Sequence, residues 1–202
     1  VGSWGYAPAV ETNSTGDTLW WELQWTSQED ANNAWEAWVQ NEDALVWEEK
    51  YSSVLDCDGE NRQSHDVAYP MASNAFGELP DTGYFYAEIH ICEFNDGASK
   101  NDALGFLEGF NNAVNEGGYE ETSYHYGNYF QQGNDDGFLW GNFTNSKESM
   151  DKANVAFEAN VRDKMFPIFS EFATCGEVPD LYNGFTLYWS ADKDFMPTFP
   201  SS

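Results

Sequence analysis

Three side chains suited to acid–base chemistry lie in two predicted strands of the chain. Glu88 and His90 alternate in the strand Tyr84–Phe94, and His125 lies at the start of a strand predicted at 124–130. A carboxylate and two imidazoles held together in an apolar cleft can exchange protons near neutral pH or bind a metal ion. The pattern makes Glu88, His90 and His125 the candidate catalytic residues.

A second set of side chains would shape a ligand site beside them. Tyr86 alternates with Glu88, and Trp140 and Asn142 lie in the next predicted strand, at 137–143. In a barrel-like fold, alternation places these side chains on the barrel side of the sheet. The helix-facing set would then be Phe85, Ala87, Ile89 and Ile91. The competing interpretation is a partly buried, hydrogen-bonded polar layer, because alternation fixes a face and no distance.

The clearest pattern in the chain runs from residue 84 to residue 143 and reads strand, helix, strand, strand. A turn at 95–97 follows the first strand, and Ser99 is a plausible N-cap for a helix. Apolar residues then recur at helical spacing until Gly117 and Gly118 end the helix. These residues are Ala103, Leu104, Leu107, Phe110 and Val114.

Elements on both sides of this stretch extend the pattern. Residues 1–17 are rich in Gly, Ser, Thr and Pro, which predicts an extended arm. We expect the following further elements: a strand at 18–25, a helix after Ser27, a helix at 43–55, a short strand at 65–71, a helix after Ser146 with a break near Pro167, and a last strand at 184–189. Pro70 indicates an edge position for the strand at 65–71.

The chain parses into three strand-helix-strand units, at about 17–71, 84–130 and 136–190. An internal echo supports the repeat, since AWEAWV at 34–39 resembles AFEANV at 156–161. Two such units in one antiparallel sheet make a ferredoxin-like domain. We therefore predict an α+β fold with helices on one sheet face and about one and a half ferredoxin-like units. Residues 1–83 would form an arm plus the half unit, and residues 84–202 the full unit plus a tail.

Residues 84–189 resemble the ferredoxin-like dimeric α/β-barrel superfamily of the antibiotic-biosynthesis monooxygenases. Within it they resemble uncharacterised secreted proteins of marine bacteria. Three features carry this closer likeness: CEFNDG at 92–97, GFLWG at 137–141, and Thr174-Cys175 before the last strand. The resemblance implies the fold and an extracytoplasmic location. It implies no activity and no catalytic residue.

A disulfide between Cys92 and Cys175 is expected if residues 84–189 form a ferredoxin-like unit. The first and fourth strands of such a unit are antiparallel neighbours, so these two cysteines would lie at one edge of the sheet. Such a bridge fits an oxidising compartment. The alternative is three reduced cysteines buried as small apolar residues. Cys57 would be free or would bridge to another chain.

The charge of the chain excludes two classes of partner. Thirty-five acidic residues against eight basic ones give a net charge of −27. Nucleic acids and anionic membranes would be repelled by this surface. The acidic, lysine-poor composition instead suits a marine or halophilic protein, in which salt screens the self-repulsion. Acidic loops at 56–61 and 134–137 lack the full spacing of a calcium loop, so no metal and no cofactor are expected.

An abundance of aromatic residues favours an interaction role. Nine tryptophans and eleven tyrosines on a sheet with open edges suit assembly with other protein chains, as a homo- or hetero-oligomer. We therefore expect an extracytoplasmic binding or assembly component that acts through protein–protein contacts. The alternative is a small enzyme or a ligand-binding protein with a pocket on the barrel side. A closed pocket of at least ~300 Å3 on that face would favour the alternative over a filled interface.

Overall fold

An antiparallel sheet organises the computed structural model, which describes residues 2–9, 19–55, 57, 59, 62–69, 83–119 and 122–189. Its strands are β1 (Gly2–Pro8), β2 (Trp20–Gln24), β3 (His65–Ala68), β4 (Tyr84–Phe94), β5 (His125–Gln131), β6 (Gly137–Thr144), β7 (Ala173–Cys175) and β8 (Asp180–Trp189). The strand order is β2-β1-β8-β4-β6-β5-β3, and β7 pairs with β4 beside β8. Every pairing is antiparallel, as predicted.

The helices begin at the polar residues that the sequence indicates. They are α1 (Gln28–Val39), α2 (Glu42–Tyr51), α3 (Lys100–Glu116), α4 (Lys147–Ala156) and α5 (Arg162–Phe172), with a π-helical turn at Phe157–Val161 joining α4 to α5. Ser27 and Ser146 accept hydrogen bonds from the backbone N–H groups of Asp30 and Ser149, and Ser99 forms a capping box with Asp102. Across the described residues, helices fall short of the length and apolarity needed to cross a membrane.

An aromatic core fills the space between the sheet and helices α3 to α5. Trp140 lies at its centre, with its ring stacked on Tyr126 at 5.4 Å and an interplanar angle of 3°. Phe110 of α3 and Phe169 of α5 approach the same indole ring at centroid distances of 5.0 and 5.9 Å. Burial of these large side chains is the main stabilising contribution on this side of the sheet.

The other face of the sheet is concave and encloses a second apolar cluster. Its buried members are Tyr6, Tyr69, Phe85, Ala87, Phe143 and Tyr182. Gln24 of β2 donates a hydrogen bond of 2.8 Å to the Tyr69 hydroxyl, just after β3. Because β2 and β3 end the strand order at opposite sides, this bond means that the sheet curls around the cluster. Gly127 leaves room for the Tyr69 ring, which would lie 2.4 Å from a Cβ at that position.

The predicted assignment of the two faces of β4 is wrong. Phe85 and Ala87 belong to the concave cluster, whereas Tyr86 packs against Met150 of α4 and Phe94 against the helix-side core. The alternation itself is correct, but each face of β4 carries buried apolar side chains. A period of two separates the side chains into two sets and cannot say which set faces the helices.

Two local predictions also differ from the structure. The segment expected to be an extended arm contains β1, which pairs with β2 on one side and β8 on the other. The helical irregularity lies at Phe157–Val161, while Pro167 stays inside α5. The edge position expected for β3 is confirmed. A linker is predicted at 72–83, and its residues 72–82, like the tail at 190–202, lie outside the described residues.

Strands β4, β5, β6 and β8 keep the predicted connectivity of the second and third units. The chain runs β4-α3-β5-β6-α4-α5-β8, and the spatial order of these strands is β8-β4-β6-β5. Strands β2 and β3 of the first unit lie at opposite ends of the same sheet. Residues from both predicted parts of the chain therefore contribute to one sheet.

Candidate functional site

The predicted disulfide is confirmed. Cys92 of β4 and Cys175 of β7 are directly opposite in the strand pairing, with an S–S distance of 2.00 Å and a Cα–Cα distance of 3.9 Å. Gly176 N–H donates to the Ile91 carbonyl at 3.0 Å and holds the two chain segments together beside the bridge. Cys57 is exposed and free.

Glu88 and His90 lie on the helix side of the sheet. Both carboxylate oxygens of Glu88 accept hydrogen bonds from the Asn154 side-chain amide of α4, at 3.2 and 3.3 Å. Burial raises the pKa of Glu88, and the nearby charge of Asp151 raises it further. Burial also lowers the pKa of His90. The Glu88 carboxylate is therefore held by hydrogen bonds to α4.

Trp140 and Asn142 share that face and bind each other. The Asn142 side-chain oxygen accepts hydrogen bonds from the Trp140 indole N–H at 2.8 Å and from the Tyr124 hydroxyl at 2.7 Å. These bonds satisfy polar groups inside the aromatic core and match the competing interpretation of a hydrogen-bonded polar layer. Tyr86, the third residue of the predicted ligand site, is buried against Met150.

His125 lies on the opposite, concave face, so the predicted convergence on one face is wrong. Its ring stacks on Tyr69 at a centroid distance of 5.3 Å and lies 6.1 Å from Phe143. Burial lowers the pKa of His125 to about 3, which leaves it uncharged at neutral pH. A catalytic role for Glu88, His90 and His125 stays a prediction that their arrangement does not support.

A different polar group lies inside the curled sheet, and we call it the Glu22 network: Tyr6, Glu22, Gln24, Tyr69 and Tyr129. The Glu22 carboxylate accepts hydrogen bonds from the Tyr6 hydroxyl and the Gln24 amide. The same amide donates to Tyr69, whose hydroxyl lies 2.6 Å from the Tyr129 hydroxyl. The network therefore links β2 to β5 across the concave face.

Burial raises the pKa of the titratable groups in the Glu22 network, and the charge of Glu22 raises the pKa of the tyrosines further. Desolvation raises the pKa of Glu22, although its hydrogen bonds to Tyr6, Gln24 and Tyr129 oppose the shift. Desolvation, and after it the charge of Glu22, raises the pKa of Tyr69 and Tyr129. The tyrosines thus stay protonated and donate hydrogen bonds, while Glu22 holds a proton more tightly than an exposed glutamate does.

The network reaches a groove at one end of the concave face. This groove has a volume of about 680 Å3, and Tyr129, His65, Ile91 and Leu139 contribute to its lining. The groove is open to solvent, so it is not the closed pocket that would favour an enzyme, and its described lining does not include Glu88, His90 or His125. The concave face is thus filled by aromatic side chains over part of its length and open at this end.

Comparison of the chain with protein-family models, with curated proteins and with solved structures found no match. The site must therefore be interpreted from its geometry. No group of three or more His, Cys, Asp or Glu side chains within the described ranges is arranged to hold a metal ion.

Sequence reasoning missed the Glu22 network because its members are far apart in the chain. Glu22 and Gln24 alternate with Trp21 and Leu23, and the sequence alone does not say that the polar pair is the one turned inward. Gln24 is buried, whereas Trp21 is exposed. One usable signal for the network was the pair Tyr6 and Tyr69. The hydroxyl group of a tyrosine needs a polar partner once its ring is buried, and Glu22 and Gln24 can provide one.

The raised pKa of Glu22 predicts a pH-dependent effect of Glu22→Gln. A carboxyl group whose pKa is higher in the folded state than in the unfolded state stabilises the fold less as pH rises above its unfolded value of about 4.5. Glutamine does not ionise, so the Glu22→Gln variant does not lose this stabilisation as pH rises. We expect its free energy of unfolding, relative to the wild type, to increase between pH 4 and pH 7, as measured by urea denaturation. Glu108→Gln, which removes an exposed carboxylate from α3, controls for net charge, and an equal increase in that variant would contradict the prediction.

Proposed function

We propose that the protein is an extracytoplasmic binding component that acts through protein–protein contacts. The observation that carries the proposal is a partly exposed tryptophan cluster, which consists of Trp21, Trp38, Trp47 and Tyr51. Its rings are in mutual contact, with centroid distances from 5.3 to 6.5 Å. Trp21 comes from the edge strand β2, and the other three come from α1 and α2.

The helices that carry the cluster bury little against the body of the protein. No residue of α1 is buried, and Ala44 is the one buried residue of α2. Leu45 and Val46 of α2 are 53% and 63% exposed. Exposed apolar side chains beside tryptophan and tyrosine rings are typical of the centre of a protein interface.

The charges around the cluster indicate the chemistry of the partner. Residues 28–51 carry seven carboxylates and one lysine, Lys50, whose ammonium lies over the Tyr51 ring at 4.9 Å. A partner with an apolar surface bordered by Lys and Arg would complement this arrangement. Two copies of the same surface would repel each other, so the proposed partner is a different, basic protein.

Two features support the extracytoplasmic location and the ferredoxin-like fold that we include in this proposal. The Cys92–Cys175 disulfide fits an oxidising compartment. The order β8-β4-β6-β5, with two helical crossovers on one face, supports one ferredoxin-like unit like that of the dimeric α/β-barrel superfamily. We propose that β2, α1, α2 and β3 are the added half unit, and that its helices carry the binding surface.

The proposal predicts binding of a basic amphipathic partner at α2. A labelled synthetic helix with a leucine face bordered by lysines should bind the wild type, as followed by fluorescence anisotropy. Leu45→Ser with Val46→Ser should weaken that binding about tenfold, because the two side chains would no longer bury apolar surface against the peptide. Both side chains are exposed, so the fold should be unaffected.

A matched variant separates a specific surface from general attraction between opposite charges. Val155→Ser with Ile168→Ser changes side chains of similar exposure, 70% and 49%, on α4 and α5. This control should bind the peptide like the wild type. Equal weakening in both double variants would refute the proposed binding surface.

A further inference from the structure

The groove at the end of the concave face has an apolar floor. Ile91 is opposite Leu139 in the pairing of β4 and β6, and Leu139 is opposite Tyr129 in the pairing of β5 and β6. The three side chains therefore form one row across the strands. Ile91 is 61% exposed, which is unusual for a β-branched residue in the middle of a sheet.

A glycine keeps the next row open. Gly137 is opposite Glu93, and a Cβ atom at Gly137 would lie 2.2 Å from the Cys92 carbonyl oxygen, so no side chain fits there. On the far side, His65 and Gln131 are opposite each other at the edge of the sheet. This second row therefore has side chains at its two ends, Glu93 on one side and Gln131 with His65 on the other. At Gly137, between them, no side chain fills the groove.

The rim of the groove is negatively charged. Glu93, Asp96, Asp135 and Asp136 line it, and no Lys or Arg is among the described residues that do so. The ion pairs found within the described ranges involve none of these four carboxylates. Four carboxylates at the mouth of one groove give a negative potential that attracts cations and repels anions.

We propose that this groove binds a small organic cation, that is, a protonated amine or quaternary ammonium group on an apolar body. The apolar body would cover Ile91 and Leu139, and the cationic group would lie toward the carboxylates of the rim. The aromatic ring of Tyr129 offers a face for a cation–π contact at the inner end.

Two further features favour this class of ligand. Burial lowers the pKa of His65, so this imidazole adds no positive charge to the groove at neutral pH. The Tyr129 hydroxyl is held by Tyr69 at 2.6 Å, which fixes the ring as a rigid wall. The groove is separate from the tryptophan cluster, so the inference does not rest on the proposed protein partner.

Three probes of equal chain length test the proposal: octylammonium, octanol and octanoate. Isothermal titration calorimetry should show that octylammonium binds most tightly, octanol more weakly and octanoate not at all. High salt should weaken the binding of octylammonium and leave that of octanol unchanged, because salt screens only the charged contribution. Octanol binding as tight as octylammonium at low salt would overturn the cationic specificity.

Two triple variants with the same change in net charge locate the site. Glu93→Gln, Asp135→Asn and Asp136→Asn together should reduce octylammonium affinity about tenfold or more, since they remove charges of the rim. Glu108→Gln, Asp163→Asn and Glu171→Gln neutralise exposed carboxylates outside the groove and should leave the affinity within about twofold. Equal losses in the two variants, or no octylammonium binding to the wild type, would overturn the inference.

Discussion

Replacing Trp140 with alanine should lower the free energy of unfolding by about 3–5 kcal/mol, the range for removing a large aromatic side chain from a core. The indole ring contacts Phe106, Phe110, Tyr126 and Phe169, which come from two helices and a neighbouring strand. The loss includes both the apolar area of the ring and the cavity left among side chains that cannot close over it.

Urea denaturation followed by circular dichroism measures this loss without relying on tryptophan fluorescence. Trp47→Ala is the matched control, because Trp47 lies in the tryptophan cluster and is 36% exposed. We expect the control to lose less than half as much stability as Trp140→Ala. Similar losses in the two variants would mean that the α1–α2 pair is as much a part of the core as the helix side of the sheet.

The elements of the helix-side core could be predicted from the sequence because their signals are local. Ser99 is the N-cap of α3, as predicted, and the apolar spacing from Ala103 to Val114 predicted its buried face. The strands on both sides of α3 were recognisable by their β-branched and aromatic residues. An N-cap or a helical period needs only neighbouring residues, so no knowledge of the fold was required.

The concave face could not be predicted in the same way because it depends on contacts between distant segments. Tyr6, Tyr69 and Tyr182 are far apart in sequence, yet they close over the same side of β4. Without that knowledge, Phe85 and Ala87 looked like the helix-facing set. The wrong face placed Glu88 and His90 on the side of the sheet where His125 does lie, and the predicted catalytic group followed from that error.

The Glu22 network could not be predicted for the same reason, because its polar side chains also come from distant segments of the chain. A glutamate is seldom fully buried, so Glu22 in a short strand favours a solvent-exposed position. Here the curl of the sheet brings Gln24 to Tyr69 and turns Glu22 into the interior. The sequence contains every member of the network, but their convergence follows only from the order β2-β1-β8 at one end and β3 at the other.

Removing the Cys92–Cys175 disulfide by a double Cys→Ala substitution should lower the free energy of unfolding by about 4 kcal/mol. The bridge joins residues 83 positions apart, and in the chain-entropy model a loop of that size restricts the unfolded chain by roughly this amount. The bridge also holds β7 against the end of β4, beside the segment that leads into β8. Treatment of the wild type with a reducing agent should produce a similar loss in urea denaturation.

Cys57→Ser is the matched control, because Cys57 is exposed and free. Its stability should stay within about 0.5 kcal/mol of the wild type, as expected for an exposed site. Thiol titration of the denatured wild type should give one reactive thiol before reduction and three after it, since the chain has three cysteines. Three thiols before reduction, or a midpoint in urea unchanged by reducing agent, would mean that the bridge does not form or does not stabilise the fold.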